Sequence, residues 1–526
     1  MTPTFGWSLE LVRSGRIAAP LSALLLVSAL MVPSAALAAY DPASDMNSMY
    51  NTTSYTGARA WWAAGYTGAG IDVAVIDTGV SPVEGLATPG KIINGPDLSL
   101  ESQNLAFRYL DTNGHGTFMA GLIAGNSADY KGMAPDARIV SLKVGVADGG
   151  VDVSQVIAAI NWVIQHKDDN GLNIRVINLS YGTNSTQAAE IDPLSYAAEQ
   201  AWKQGIVVVA AGGNNGFQSH MNNAPALSNP AFDRYLLAVG STDSMGTSIL
   251  SDDTIPAFSP WPKRGATRYV DLVAPGAHIQ GLRVPNSEID ANHPEGVIDG
   301  YYFRGSGTSQ SAAIVSGAAA LLLQRYPNAT PDQVKKLLTS SAYVINAKSQ
   351  ARGAGELQLA TALDLGLPAS TQTWPSSTGA GTLDGARGSD RLTDDGVVLS
   401  GEIDIFGHAY DSAAMATAMA DGSSWSGGTW NGSSWSGSSW SGSSWSGSSW
   451  SGNSWSGSSW SGNSWSGSSW SGNSWSGSSW SGSSWSGNSW SGNSWSGSSW
   501  SGNSWSGSSW SGNSWSGASW ATASWD

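Results

Sequence analysis

The chain has no cysteine among its 526 residues. That excludes disulfides, thiolate metal sites and a cysteine nucleophile. It does not exclude export, because large domains can be stable without cross-links. Charge is also sparse: Asp, Glu, Lys and Arg make up 12% of the residues, with a net charge of -15. No run of Lys and Arg offsets the acidic excess, so nucleic acid is not an expected partner. There are six histidines, so the setting of each is informative. Long apolar runs are missing except near the N-terminus, and no other segment approaches a membrane span.

That one run carries the marks of an export signal. Arg13 and Arg16 precede apolar residues 17–32, and Ala36-Leu37-Ala38 forms an Ala-x-Ala cleavage site. The alternative is a membrane anchor. Pro20, Ser22, Ser28, Pro33 and Ser34 interrupt the run and its small-residue end, which favours cleavage after residue 38, leaving no membrane segment. Residues 39–56 are polar and read as a flexible lead-in.

From residue 57 to about 366 the pattern is that of an α/β domain. Apolar segments rich in β-branched residues at 71–76, 138–144, 175–179, 206–211 and 236–239 read as strands. Helical patterns at 153–165 and 194–204 lie between them. Strands apolar throughout, alternating with helices, imply a parallel sheet covered on both faces, a three-layer arrangement. Its chemistry is then expected beyond the carboxyl ends of the strands. Thr330-Pro331-Asp332-Gln333 reads as a capping box opening a helix to about residue 342. Gly366 and Pro368 mark the exit, and residues 367–424 read as a linker or a small, weakly packed module. From Trp425 to Trp525 a tryptophan recurs every five residues in a Ser-Gly-Ser/Asn-Ser-Trp unit. A period of five makes no stripe on a helix and alternates faces on a strand. Two readings stay open for 425–526: a low-complexity tail with aromatic contacts, or a stack of short strands and turns.

Four residues stand at strand ends or helix starts. Asp77 follows a strand directly, within Asp77-Thr78-Gly79; a turn aspartate would look the same. His115 lies in Asn113-Gly114-His115-Gly116-Thr117, ahead of a small-residue helix to about Gly125. The other histidines, His166, His220, His278, His293 and His408, have no such frame and read as surface or loop residues. Asn214 follows the strand at 206–211 in Gly212-Gly213-Asn214-Asn215-Gly216, where an amide can donate to an oxyanion. Ser309 sits in Gly305-Ser306-Gly307-Thr308-Ser309, at the start of a buried small-residue helix. Alone it is as much a helix cap as a nucleophile. Together, a carboxylate, an imidazole, an amide and a serine are what acyl transfer to a serine requires.

On these residues the chain resembles the subtilisin-like serine proteases, the subtilases. The resemblance rests on Val75-Ile76-Asp77-Thr78-Gly79, Gly114-His115-Gly116-Thr117 and Gly307-Thr308-Ser309. Gly132-Met133-Ala134-Pro135, Ile177-Asn178-Leu179-Ser180-Tyr181-Gly182 and Ala274-Pro275-Gly276 add to it. It covers about residues 55 to 366. It implies Ser309 as nucleophile, His115 as base then acid, Asp77 as the residue orienting it, and Asn214 with the Ser309 amide as oxyanion hole. Substrate backbone would lie between Ser180, Tyr181 and Gly182 and the segment of Gly149, Gly150 and Val151. Pocket walls would come from Ser180 to Gly182 and from Ala210, Ala211 and Gly212, admitting a large apolar side chain before the cut.

The chemistry requires no cofactor and no metal. Residues 126–131, where many relatives carry a calcium loop, form a short segment, which counts against a site there; calcium elsewhere stays open. Gln310, Ser311 and Ala313 stand where the family has Met-Ala and a later proline. Too few residues separate Ala39 from Asp77 for a folding-assistant propeptide of the usual size. The expectation is an exported endopeptidase acting on protein or peptide substrates, secreted or held at the cell surface. The tryptophan repeats would suit attachment to a cell envelope or insoluble polymer. The alternative is a surface-binding or structural protein whose main function is the tail.

Overall fold

The computed structural model describes residues 40–102, 104, 106–217, 226–263, 265–394, 397–405 and 409–420. The export-signal segment and the tryptophan repeats lie outside these residues. Seven strands form the central sheet: β1 (Asp72–Asp77), β2 (Ile92–Asp97), β3 (Arg138–Lys143), β4 (Ile174–Leu179), β5 (Val207–Ala211), β6 (Leu237–Thr242) and β7 (Leu272–Pro275). Their order is β2-β3-β1-β4-β5-β6-β7, and every pairing is parallel. β1, β5, β6 and β7 are buried at every position, as strands covered on both faces must be. The α/β expectation therefore holds, and the five strands read from the sequence all form.

Twelve helices surround the sheet among the described residues. In chain order they are α1 (Met49–Tyr55), α2 (Ala58–Ala63), α3 (His115–Ala124), α4 (Val153–His166), α5 (Pro193–Lys203) and α6 (Glu288–Asn292). Then come α7 (Thr308–Arg325), α8 (Pro331–Ser341), α9 (Ser349–Arg352), α10 (Leu359–Leu365), α11 (Leu383–Arg387) and α12 (Ser412–Ala420). α3 packs on α7, which crosses five strands of the sheet, while α4 and α5 pack together against β1 and β5. The small-residue run of α7 has a packing reason. A side chain at Gly317 would collide with Met133 and crowd the Ile123 carbonyl, so only glycine lets α7 approach this close. Asp152 with Gln155 and Thr330 with Gln333 form capping boxes that start α4 and α8. A hairpin of β8 (Ile279–Leu282) and β9 (Tyr302–Gly305) leads into the serine loop.

Two segments differ from the sequence reading. The lead-in at 39–56 is not flexible where it is described: Ser48 caps α1, and Met49, Thr52 and Thr53 are buried. The Met49 amide donates to Gln280 Oε1 at 2.9 Å, a contact 231 residues away in sequence. The described residues of 367–420 are not a loose linker either. Leu383, Ala386, Tyr410, Met415 and Met419 join the same buried apolar cluster as the sheet. The hydroxyl of Tyr196 on α5 donates to the Ala416 carbonyl at 2.7 Å. Polar composition concealed this packing because few apolar residues per turn are needed when each is fully buried.

Candidate active site

β1 ends at Asp77 and α3 begins at His115, so the sheet itself brings these two together. His115 Nδ1 lies 2.7 Å from Asp77 Oδ1, and the Thr78 amide donates to the same oxygen at 2.8 Å. The Asp77 side chain is 4% exposed and that of His115 26%, so one edge of the imidazole faces outward. The two glycines framing His115 are both required. Gly114 has φ 104, a left-handed conformation, and a side chain on Gly116 would collide with the Gly79 carbonyl.

A glycine N-cap has no side chain with which to satisfy the first amides of α3. Asp111 does it instead. Its Oδ1 accepts from the Gly114 amide and from Thr78 Oγ1 at 2.7 and 2.8 Å, and its Oδ2 accepts from the Thr117 amide at 2.7 Å. Thr78 Oγ1 in turn accepts from the Gly116 amide at 2.9 Å. Burial pushes the Asp111 pKa up, against these hydrogen bonds. Burial also pulls on His115, downward, but the Asp77 and Asp111 charges prevail and its pKa is raised above the ordinary histidine value. Sequence reasoning missed Asp111. The signal was a carboxylate just upstream of a helix whose own cap position is glycine.

Ser309 is the second residue of α7, with Gly307 as its N-cap. Its Oγ donates to the Ser180 carbonyl at 3.4 Å, and Ser180 Oγ donates back to the Ser309 carbonyl at 3.1 Å. The structure thus brings Ser309 to the end of β4, and its hydroxyl is turned to Ser180 rather than to His115. Thr308 ties in the loop after β5: its amide and Oγ1 donate to Asn214 Oδ1 at 2.9 and 3.0 Å, and its Oγ1 accepts from the Gly213 amide at 3.1 Å. With Oδ1 so held, the exposed Asn214 keeps Nδ2 for an incoming acceptor. Behind the serine, Gln310 is buried beneath the loop of Gly305 and Gly307. Its Oε1 has no hydrogen-bond partner among the described residues. Ser311 Oγ bonds to Ser241 Oγ and to the Ala274 carbonyl at 2.8 and 2.9 Å. A side chain on Gly276 would strike both hydroxyls, which accounts for the glycine in Ala274-Pro275-Gly276.

Of the expected cleft residues, Gly149 and Gly182 are exposed and Gly150, Ser180 and Tyr181 half-buried. Ala211 and Gly212 are buried, so they present backbone rather than side-chain surface. Ser228 was missed. Side chains placed on Gly182 and on Gly213 would both run into the Ser228 side chain, whose amide donates to the Gly212 carbonyl at 2.9 Å. Ser228 therefore stands beside Gly182 and Gly213, next to the expected pocket walls, which the sequence read as admitting a large apolar side chain. His166 is another difference. It is buried at the end of α4 against Trp162, with Nδ1 2.8 Å from Asp169, rather than lying on the surface.

Among the described residues no group of three or more His, Cys, Asp or Glu could hold a metal ion. The short segment at 126–131 closes on itself. The Ser127 amide donates to the Tyr130 carbonyl at 2.8 Å, and the buried Tyr130 stacks on Tyr302 at 5.6 Å. No helix of the described residues is long and apolar enough to cross a membrane.

A parallel α/β sheet with an aspartate, a histidine and a serine at its carboxyl edge defines the subtilisin-like class. The family comparison agrees: residues 68–381 match the peptidase S8 model, described as the subtilase family. The chain belongs to that family. It is 38% identical over 283 residues to the serine protease AprX of Bacillus subtilis, covering 52% of this chain and 61% of that protein's length. Subtilisin DY of Bacillus licheniformis is 33% identical over 283 residues, covering 53% of this chain and 86% of the relative. A solved structure described as a cold-adapted subtilisin-like serine proteinase shares 31% identity. It covers 56% of this chain and 90% of its own, with a TM-score of 0.43.

Proposed function

We propose that the protein is an exported serine endopeptidase that cleaves peptide bonds through an acyl-enzyme. Ser309 Oγ attacks the substrate carbonyl carbon as His115 Nε2 takes its proton. The carbon–nitrogen bond breaks as His115 returns that proton to the leaving amine. Water then attacks the ester, again through His115, and Ser309 is restored. Asp77 holds the imidazole in the tautomer with Nδ1–H and stabilises its charged form. Asn214 Nδ2 and the Ser309 amide receive the oxyanion. In this reading the hydroxyl of Ser309 turns from the Ser180 carbonyl to His115 by rotation about its χ1; catalytic hydrogen bonds often tighten only with substrate bound.

The observation that carries this reading is the Asp77–His115 contact, 2.7 Å long and on the same sheet edge as Ser309. Sheet order also supports a place for substrate. β3 and β4 flank β1, and β1 ends at Asp77 while the loops after its neighbours continue. Two neighbours of one strand stand about 9.6 Å apart, which leaves room for one added peptide strand between Gly149–Gly150 and Ser180–Gly182.

The test is hydrolysis of a denatured protein substrate by the purified chain. Ser309→Ala and His115→Ala should each lower turnover on the order of 10⁶-fold, and Asn214→Ala about 10² to 10³-fold. Equal hydrolysis by the parent and Ser309→Ala would overturn the reading. Export rests on the pattern of residues 1–38. Attachment to envelope or insoluble polymer rests on the regular tryptophans of 425–526, with the peptidase as their cargo.

A further inference from the structure

Residues 383–390 lie beyond 68–381, the span that matches the family, yet they are bound to the loop that leaves β4. Thr183 Oγ1 donates to the Ala386 carbonyl at 2.6 Å, and Ser185 Oγ to the Gly385 carbonyl at 2.7 Å. Arg387, the last residue of α11, is fully buried. Its Nε and Nη2 donate to Asp152 Oδ1 and Oδ2 at 2.6 and 3.1 Å. A buried guanidinium is tolerable only when paired and hydrogen-bonded in this way, so the end of α11 has one fixed seat. Gly388 then turns the chain with φ 60, a left-handed conformation, and a side chain there would collide with the backbone of Asn184 and Ser185. The Asp390 amide donates to the Arg387 carbonyl at 3.1 Å, and the Asp390 carboxylate reaches Asn184.

From Asp390 a line of hydrogen bonds runs to the residue beside Asn214. The Asn184 amide and Nδ2 donate to Asp390 Oδ2 and Oδ1 at 2.7 and 3.2 Å. Asn184 Oδ1 accepts from Asn215 Nδ2 at 2.6 Å. The carboxylate decides the direction of this line. An ionised carboxylate only accepts, whereas either end of an amide can face a given partner. Asp390 therefore draws Asn184 Nδ2 to itself and turns Asn184 Oδ1 toward Asn215, which answers with Nδ2. With Asp390 removed, nothing in this line fixes which end of the Asn184 amide faces Asn215.

The loop so held is the one that carries the oxyanion donor. Gly212, Gly213 and Gly216 surround Asn214 and Asn215, and Gly213 and Gly216 have φ 106 and 67, so the loop has little stiffness of its own. Thr308 holds it from the serine side, through Asn214 Oδ1 and the Gly213 amide. Asn184 holds it from the β4 side. An oxyanion donor is effective when it is fixed in advance where the charge will develop.

We propose that Asp390 is a positioning residue for the oxyanion hole: through Asn184 and Asn215 it fixes the loop that carries Asn214, so that Asn214 Nδ2 meets the charge developing on the substrate carbonyl oxygen. This rests on the endopeptidase reading, with Asn214 as oxyanion donor. Asp390 itself touches no reacting atom; it acts through two amides.

The experiment is a double-mutant cycle on the full chain, with kcat and KM measured on a fluorogenic peptide amide that has phenylalanine before the cut. Asp390→Ala is expected to lower kcat and kcat/KM together by about tenfold, with KM held within about twofold, because the misplaced donor acts in the transition state. In the Asn214→Ala background the same change should bring no further loss, since the group that Asp390 positions is gone. A merely structural role would give the same loss in both backgrounds. Asp390→Asn keeps the side-chain shape and one acceptor, and it carries the same cycle with a smaller loss should Asp390→Ala not fold. Unchanged kcat in folded Asp390→Ala, a change confined to KM, or losses that multiply with Asn214→Ala would overturn the positioning role alone. An Asn214→Ala protein with parental kcat would overturn the oxyanion assignment, and the positioning role with it.

Discussion

Asp77 Oδ1 and His115 Nδ1 stand 2.7 Å apart, joining the last residue of β1 to the first of α3. Burial favours the neutral imidazole, but the Asp77 and Asp111 charges outweigh it and raise the His115 pKa. The sign of two pH effects follows. Only neutral imidazole accepts the serine proton, so kcat/KM should rise with pH through a midpoint above the ordinary value of about 6.5. Stability runs the other way. The contribution of charged His115 is fully present below the unfolded-state pKa and is lost as pH rises through the folded one. Asp77→Asn should move the kcat/KM midpoint down and lower turnover by about 10⁴. A pH profile of both proteins checks this; an unmoved midpoint would contradict it.

Gln310 has a simpler consequence. Its buried Oε1 lacks a partner beside the serine loop, and a buried unsatisfied acceptor costs about 1–3 kcal/mol. Gln310→Met, similar in volume and without the unpaired oxygen, should be more stable by about 1–2 kcal/mol. Denaturant unfolding with Ser309→Ala as the background, to prevent self-cleavage, measures it. No gain in stability would mean that Gln310 makes a compensating contact.

Ser228 should limit the residue before the cut. Because it stands between Gly182 and Gly213, Ser228→Gly would deepen the slot. We expect kcat/KM for a peptide with phenylalanine before the cut to rise about tenfold relative to one with alanine, the scale for one small group in an apolar pocket. A ratio unaffected by the change would place the pocket elsewhere.

Beside the end of β6, Asp253 and Glu356 form a buried carboxyl pair. Asp253 Oδ1 and Glu356 Oε2 have no donor among the described residues, while Thr242 Oγ1 donates to Glu356 Oε1 at 2.7 Å. Burial, reinforced by Asp253, pushes the Glu356 pKa well above the usual carboxylate range. The folded state then holds a proton that the unfolded state releases. The pair's stabilisation is present below the ordinary carboxylate pKa and is lost as pH rises through the folded value. Glu356→Gln keeps the oxygen facing Thr242 and places an amide donor toward Asp253 without titrating. Its Tm should match the parent near pH 5 and exceed it near pH 9. A parallel decline of both proteins would contradict the shared-proton reading.

These residues also mark where the sequence was legible. β1 through Asp77, the glycine-framed His115 and the small-residue helix after Ser309 were readable because local pattern determines them. Asp111 and Ser228 were not, because their roles come from close approaches across the sheet edge. The lead-in and the described part of residues 367–424 were misread for a related reason. What orders them is non-local: Met49 to Gln280, Ser377 to Glu199 at 2.8 Å, and Arg387 to Asp152. A buried arginine within a polar stretch carries no periodic signal.

The most direct measurement is covalent labelling with a fluorophosphonate, followed by mapping of the adduct by mass spectrometry. A single adduct on Ser309, formed faster as pH rises through the His115 pKa and lost in both Ser309→Ala and His115→Ala, is the expected result. Folded protein that takes no label, or label that persists in Ser309→Ala, would contradict the central claim that Ser309 is the nucleophile.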